Sequence, residues 1–186
     1  MLETQDPNLT EDAIRAIVRE EIERAFKKDK AARRACIIAS KGTLDWAYPP
    51  LILSTAAAAA GLETAVFFTF YGLNIIRRDF EKRLLVSPVA NPAMPMPIPM
   101  PDLFTAMPGM QTVATAMMKS RFAKKGVATI RELLDVARES NVRLIACQMT
   151  MEVFGYEQKD FLDGVEFGGA AAFLSEARKS HVTLFI

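Results

Sequence analysis

The chain has 186 residues, a length that suits one well-filled hydrophobic core and is short for two domains. Its formal net charge is +1, which argues against a nucleic-acid partner. Two cysteines and one histidine provide neither metal-site spacing nor a disulfide framework, and no glycine-rich phosphate loop is present. The acidic, polar amino terminus lacks a signal-peptide pattern, so we expect a cytoplasmic protein with no metal and no cofactor.

An amphipathic helix is predicted first, over residues 11–30. Its apolar residues recur near a 3.6-residue period, and the opposite face is dense in charged residues. Two interpretations stay open, because such a helix either packs on its own domain or serves as a docking or oligomerisation element. We expect residues 1–32 to form this amino-terminal region and residues 33–186 to form an α/β domain. The apolar residues are Ile14, Ile17, Val18, Ile22 and Phe26.

A βαβ unit is predicted next. Residues 35–40 (ACIIAS) predict the first strand, and residues 64–70 predict a second strand that is almost wholly apolar. Between them lies a helix that Thr43 or Asp45 caps and Gly61 ends. This order implies a parallel sheet with right-handed crossovers. The long uncharged stretch is therefore a core helix and a buried strand, and a membrane span is disfavoured.

Residues 87–109 (SPVANPAMPMPIPMPDLFTAMPG) interrupt the alternation of strands and helices. Proline at this density prevents a regular helix, and the segment is too apolar for a solvated linker. It is either a lid or interface covering the carboxyl edge of the sheet, or a loop packed on the same subunit. Peripheral membrane contact through this Met/Pro-rich insertion also stays open.

The second half of the chain predicts three more strands, separated by helices. Thr129 is expected to cap a helix over residues 130–140, and a glycine pair precedes an alanine-rich helix up to residue 179. We therefore expect a three-layer, flavodoxin-like α/β domain with a mostly parallel five-stranded sheet. The three further strands lie at residues 142–147, 164–167 and 181–186.

Cys147 is the main candidate for chemistry. It ends a short apolar strand where a helix begins, the place where open α/β sheets carry their sites. Free N–H groups at the helix start favour a thiolate, although a buried structural cysteine is an equally ordinary interpretation. Cys36 lies at the start of its own strand, at the opposite edge of a parallel sheet. No disulfide between the two is expected within one subunit, since they should lie about 10 Å or more apart.

Five segments, in the order in which they occur along the chain, resemble the DsrE/DsrF-like sulfur-relay proteins. The resemblance is to the branch of that family with a long methionine-rich insertion. They are ACIIASKGTLD, GLETAVFFTFYG, the Met/Pro-rich insertion, VRLIACQMTMEVFG and DGVEFGGAAAF. The resemblance covers about residues 33–186. It implies a cytoplasmic, homo-oligomeric sulfur carrier in which Cys147 accepts sulfane sulfur as a persulfide or thiosulfonate. It also implies transfer to a partner such as a TusA-like carrier or a rhodanese.

Three hypotheses for function follow: a sulfur carrier, a thiol redox enzyme, and an oligomeric binding or scaffold protein without thiol chemistry. In the first, Cys147 is the catalytic nucleophile because only a thiolate attacks sulfur. We expect substrate-binding donors and contacts from the residues that follow it and from the first βα turn. These are Gln148, Met149, Thr150, Lys41 and Thr43.

Overall fold

The structure, a computed structural model, describes residues 33–87 and 109–186, together with Ala16 and residues 18–20. Residues 34–186 form one compact unit, and residues 1–33 form another. Ala16 and residues 18–20 are helical, while the rest of the predicted amphipathic helix lies outside the described residues. Most of the Met/Pro-rich insertion, residues 88–108, also lies outside them.

Within the described ranges, five strands form one sheet in the order β4-β3-β2-β1-β5, and every neighbouring pair is parallel. The predicted fold class is confirmed. The strands are β1 Arg34–Ala39, β2 Glu63–Phe68, β3 Arg143–Cys147, β4 Glu166–Gly168 and β5 Val182–Phe185. The α-helices between them are α1 Leu44–Ala59, α2 Phe80–Arg83, α3 Met110–Lys124, α4 Ile130–Glu139, α5 Gln148–Phe154 and α6 Ala170–Ala177.

The strand order is the feature that the sequence did not predict. From β1 the chain steps outward one strand at a time to β4, and it then returns to the free side of β1 to form β5. The layers are those of flavodoxin, but the flavodoxin order is 2-1-3-4-5. Here the reversal of direction falls between β1 and β5, whereas in the flavodoxin order it falls between β1 and β3.

One face of the sheet carries the larger core. Helices α1 and α4 pack there and bury Leu51, Leu134 and Ala137 against the strand residues Val66 and Leu144. A helix covers a sheet when its apolar stripe matches the apolar face of the strands, and α4 shows that stripe clearly. Each strand also places alternate residues on the other face, which is therefore a second, separate core.

The two helices of this layer begin differently. Thr129 accepts a hydrogen bond from the Glu132 N–H, and the Glu132 carboxylate accepts from the Thr129 N–H. This reciprocal capping box confirms the predicted start of α4. Thr43 is the N-cap of α1, yet its hydroxyl oxygen is buried without a hydrogen-bond partner. The helix continues through Pro49 and Pro50.

The other face is covered mainly by α6. Phe173 and Ala177 of that helix pack on a smaller core formed by β1, β2 and β3. Its buried members are Cys36, Ala65, Phe67, Ile145 and Cys147. Cys147 therefore belongs to the smaller of the two hydrophobic cores.

The segment after β2 contains two short helical pieces and not one continuous helix. A 3-10 helix occupies Phe70–Ile76, and α2 adds a single turn at Phe80–Arg83. The chain is extended between them, where Arg77 forms an isolated antiparallel bridge with Phe161. The Arg77 side chain also binds Asp79, at 2.9 Å between Nε and Oδ1, which holds this extended stretch. None of the helices in the described part of the chain is long and apolar enough to cross a membrane.

Candidate functional site

Cys147 is the last residue of β3 and the N-cap residue of α5. Its backbone is extended, and the residue is only 4% exposed. Helix α5 is short because Gly155 follows it in the left-handed conformation, with φ of +67°. The thiol therefore lies at the carboxyl edge of the sheet, as the sequence predicted, but in a recessed position.

The environment of the Cys147 sulfur favours its thiolate form. Burial by itself raises the pKa of a thiol. Polar hydrogens around it outweigh burial and hold the pKa of Cys147 below its usual value. They belong to the Thr150 hydroxyl and backbone N–H, the Thr69 hydroxyl and the Met149 backbone N–H. Such donors stabilise a negative sulfur, and the thiolate is the nucleophilic form of cysteine.

Thr69 is the site residue that sequence reasoning missed. It directly follows β2, and the pairing of Phe68 with Ala146 puts Thr69 beside Cys147 on the neighbouring strand. The Thr69 and Thr150 hydroxyl oxygens lie 3.2 Å apart. The sequence signal that could have identified Thr69 was its position at the end of the second strand, because the residues that end neighbouring parallel strands meet at one edge of the sheet. We extended that strand to residue 70 and so treated Thr69 as part of it.

The Thr150 hydroxyl is held by the turn that follows Thr69. The Phe70 N–H donates to Thr150 Oγ1 at 3.3 Å. A hydroxyl has one proton, so an oxygen that already accepts from Phe70 is free to direct its own proton to the sulfur. Phe70 has a φ of +47°, a left-handed conformation that is rare for a bulky side chain.

Two glycines allow this turn to lie against the loop after β1. A Cβ atom on Gly72 would lie 2.1 Å from the Ala39 carbonyl oxygen, and one on Gly42 would lie 2.0 Å from the Tyr71 carbonyl oxygen. The Thr69 N–H also donates to the Ala39 carbonyl at 3.0 Å. The position of Thr69 therefore depends on close backbone contact that only glycine permits.

The predicted substrate-binding residues fall into two groups. Gln148, Met149 and Thr150 continue directly from Cys147; the first two are exposed and Thr150 is buried. Lys41 and Thr43 follow β1, and β2 separates β1 from β3, so the carboxyl ends of β1 and β3 lie about 10 Å apart across the sheet. The Lys41 ammonium lies 3.3 Å above the centroid of the Trp46 ring. The structure thus brings the first group, and not the second, to the sulfur.

Cys36 lies in a different environment. Strand register puts Cys36 level with Arg143 of β3, two strands away. Arg143 lies four residues before Cys147 on that strand, so Cys36 and Cys147 are about 16 Å apart. Both thiols are free. Burial, and next the negative charge of Glu176, raise the pKa of Cys36 against the opposing effect of Arg143. Cys36 is thus a buried core thiol with a raised pKa, whereas Cys147 is a recessed thiol whose pKa is lowered.

A parallel α/β sheet with a recessed cysteine at its carboxyl edge defines a class of α/β proteins with a candidate thiol site. Within that class, the chain belongs to the DsrE/DsrF/DrsH-like family, whose profile matches residues 31–185. It is 50% identical over 158 residues to the sulfur carrier protein DsrE2 of Allochromatium vinosum, covering 83% of this chain and 98% of that protein.

Two further comparisons extend the family relation. The chain is 31% identical over 157 residues to the uncharacterized protein YrkE of Bacillus subtilis, covering 83% of this chain and 97% of that protein. The crystal structure of the YchN protein from E. coli superposes with a TM-score of 0.51 at 12% identity, over 83% of this chain and 99% of that one. The YchN likeness shows a shared fold.

Proposed function

We propose that this protein is a sulfur carrier that accepts sulfane sulfur on Cys147, as a persulfide or a thiosulfonate, and passes it to a partner protein. The observation that carries the proposal is the recessed Cys147 thiol, whose pKa is lowered by surrounding donors despite its burial. The 50% identity to a protein named as a sulfur carrier supports the same chemistry.

Loading requires only a nucleophilic thiolate. The Cys147 thiolate attacks the outer sulfur of a donor persulfide, R–S–SH, and the S–S bond of the donor breaks. The donor leaves as R–S⁻, and Cys147–S–SH remains. Unloading is the same exchange in reverse, with the thiolate of an acceptor as the nucleophile. With tetrathionate, the same attack expels thiosulfate and leaves Cys147–S–S–SO₃⁻.

The residues around Cys147 then take separate roles. Thr150, Thr69 and the Met149 N–H stabilise the thiolate before loading and the anionic adduct after it. Gln148 extends this donor set on the exposed side. We assign Lys41 to contact with the incoming donor and not with the sulfur of Cys147, because β2 lies between β1 and β3. The Thr43 hydroxyl is buried at the N-cap position of α1, so we assign Thr43 to positioning this turn.

The partners and setting that we propose follow from this chemistry. A TusA-like carrier or a rhodanese suits the transfer step, and a cytoplasmic, reducing setting keeps both thiols free. A homo-oligomer is supported by β5, an edge strand whose four residues are all exposed, and by the exposed Leu174 on α6. Residues 1–32 and the Met/Pro-rich insertion are the further candidates for such contacts.

Intact-mass spectrometry tests the proposal. Wild type, Cys147→Ser and the matched control Cys36→Ser are each exposed to polysulfide or tetrathionate. We expect wild type and Cys36→Ser to gain sulfur or a thiosulfonate group that dithiothreitol removes, and Cys147→Ser to gain nothing. The same proteins are also exposed to peroxide. Oxygen adducts with peroxide, without sulfur adducts from polysulfide or tetrathionate, would indicate a thiol redox enzyme. A Cys147 that is inert to every reagent would indicate a scaffold protein.

A further inference from the structure

We propose that four uncharged side chains beside Cys147 form the docking surface for the protein that exchanges sulfur with it. They are Phe70, Tyr71, Met149 and Val153, and we call them the apolar rim. The inference rests on the proposed function, because sulfur passes between two proteins only when a second sulfur reaches Cys147.

Two elements supply the apolar rim, and their contacts place it around one site. The turn after β2 contributes Phe70 and Tyr71, while α5 contributes Met149 and Val153, which are four residues apart and so share a helix face. The Phe70 N–H donates to Thr150 Oγ1 at 3.3 Å. The Tyr71 ring stacks on Phe154 of α5, with ring centroids 5.7 Å apart.

All four side chains of the apolar rim are more than half exposed in the described part of the chain. Phe70 is 54% exposed, Tyr71 65%, Met149 60% and Val153 74%. Phe70 also keeps a left-handed backbone, with φ of +47°, that strains any residue with a Cβ atom. Strained residues and grouped exposed apolar side chains both concentrate at functional contacts. Two unfavourable features at the same residue, next to the reactive sulfur, point to a contact made with another molecule.

The recessed sulfur defines what that molecule must be. Cys147 is 4% exposed, so a flat surface resting on the apolar rim would not reach it. The partner must therefore carry its own sulfur on a protruding segment, flanked by apolar side chains that cover the rim. Since the rim carries no charge, transfer should depend little on salt between about 0.05 and 0.5 M.

Transfer kinetics with two donors test the inference. One donor is a purified TusA-like carrier loaded with polysulfide, and the other is glutathione persulfide, which is too small to span the rim. The test variants are Tyr71→Ser and Val153→Ser, and Val136→Ser, an exposed valine on α4, is the matched control. We expect the test variants to raise KM for the protein donor about tenfold with kcat unchanged, as loss of a central apolar contact does. Loading from glutathione persulfide should be unchanged in all variants.

Each other result has a distinct meaning. If glutathione persulfide fails to load wild type, the proposed function fails and this inference fails with it. If it loads wild type but the protein donor does not, or serves the test and control variants equally, the inference alone is overturned. If sedimentation shows that Tyr71→Ser or Val153→Ser dissociates an oligomer that Val136→Ser retains, the apolar rim belongs to a second copy, which also overturns the inference.

Discussion

The hydroxyl oxygens of Thr69 and Thr150 lie 3.2 Å apart, although 81 residues separate them in the sequence. The first follows β2 and the second lies in α5, so the parallel pairing of β2 with β3 brings them together. Both hydroxyls lower the pKa of Cys147. The activation of the thiol is therefore a property of two neighbouring strands and not of the cysteine segment alone.

Replacing Thr69 by valine should weaken that activation. The isosteric change removes one donor, so the pKa of Cys147 rises and its alkylation curve moves to higher pH. A hydrogen bond to a charged group contributes about 1.5–3 kcal/mol, so the iodoacetamide rate at neutral pH should fall about tenfold. The control is Thr64→Val on the same strand, whose hydroxyl donates instead to the Leu62 carbonyl. If the alkylation rate of Cys147 depends on pH in the same way in the two variants, Thr69 does not stabilise the thiolate.

The two cysteines should differ sharply in folded protein. Burial raises the pKa of Cys36, which is 1% exposed, so it should resist iodoacetamide until the chain unfolds. Cys147 should react first, and faster than Cys36 at every pH between about 6 and 8. Peptide mapping after brief alkylation, with and without denaturant, measures both rates. Labelling of Cys36 at the rate of Cys147 in native buffer would contradict the assignment of Cys36 to the core.

Gly72→Ala should disturb both the fold and the site. Its new Cβ atom would lie 2.1 Å from the Ala39 carbonyl oxygen, which belongs to a buried strand and has little room to move. We expect a loss of about 2–3 kcal/mol in the free energy of unfolding, together with slower alkylation of Cys147 as Thr69 is displaced. Urea denaturation compares it with Gly169→Ala, where a Cβ meets nothing within 4 Å. Equal stability of the two variants would show that the backbone contact at Gly72 is easily relieved.

Thr129→Ala should affect stability without affecting the thiol. The change removes the capping hydrogen bond to the Glu132 N–H, and it should lower the free energy of unfolding by about 1 kcal/mol. Thr129→Ser keeps the hydroxyl and should restore most of the loss. Cys147 alkylation should match wild type in both, because α4 supplies no group to the sulfur. Urea denaturation and the alkylation rate together separate the two effects.

Strand positions were predictable because each strand is a short apolar run bounded by turn residues. Cys36 and Cys147 were placed at opposite ends of their strands for the same reason, and Thr129 was identified as a cap because it directly precedes the apolar run of the next helix. These inferences use only neighbours in sequence, where periodicity and capping act.

The missed features depend on which segments meet in space. No local signal places β5 beside β1, so the strand order could not be derived. Thr69 became a site residue only through the register of β2 against β3. Lys41 was expected near the sulfur because it lies in the first βα turn, at the same edge of the sheet, and only the strand order shows that β2 lies between β1 and β3. No local signal predicts the extended backbone at Arg77, because its bridge partner, Phe161, lies far along the chain.

The position of β1 between β2 and β5 also shapes how the chain folds during synthesis. Strands β1 to β4 can associate as they emerge, but the second edge of β1 has no partner until residues 182–185 are made. The Ser40 hydroxyl then meets the Ile186 carbonyl across 146 residues. Contacts of such long range are slow to form, and an open apolar edge pairs readily with other chains. A nascent chain should therefore depend on chaperones until its last strand is available, and truncation before β5 should lead to aggregation.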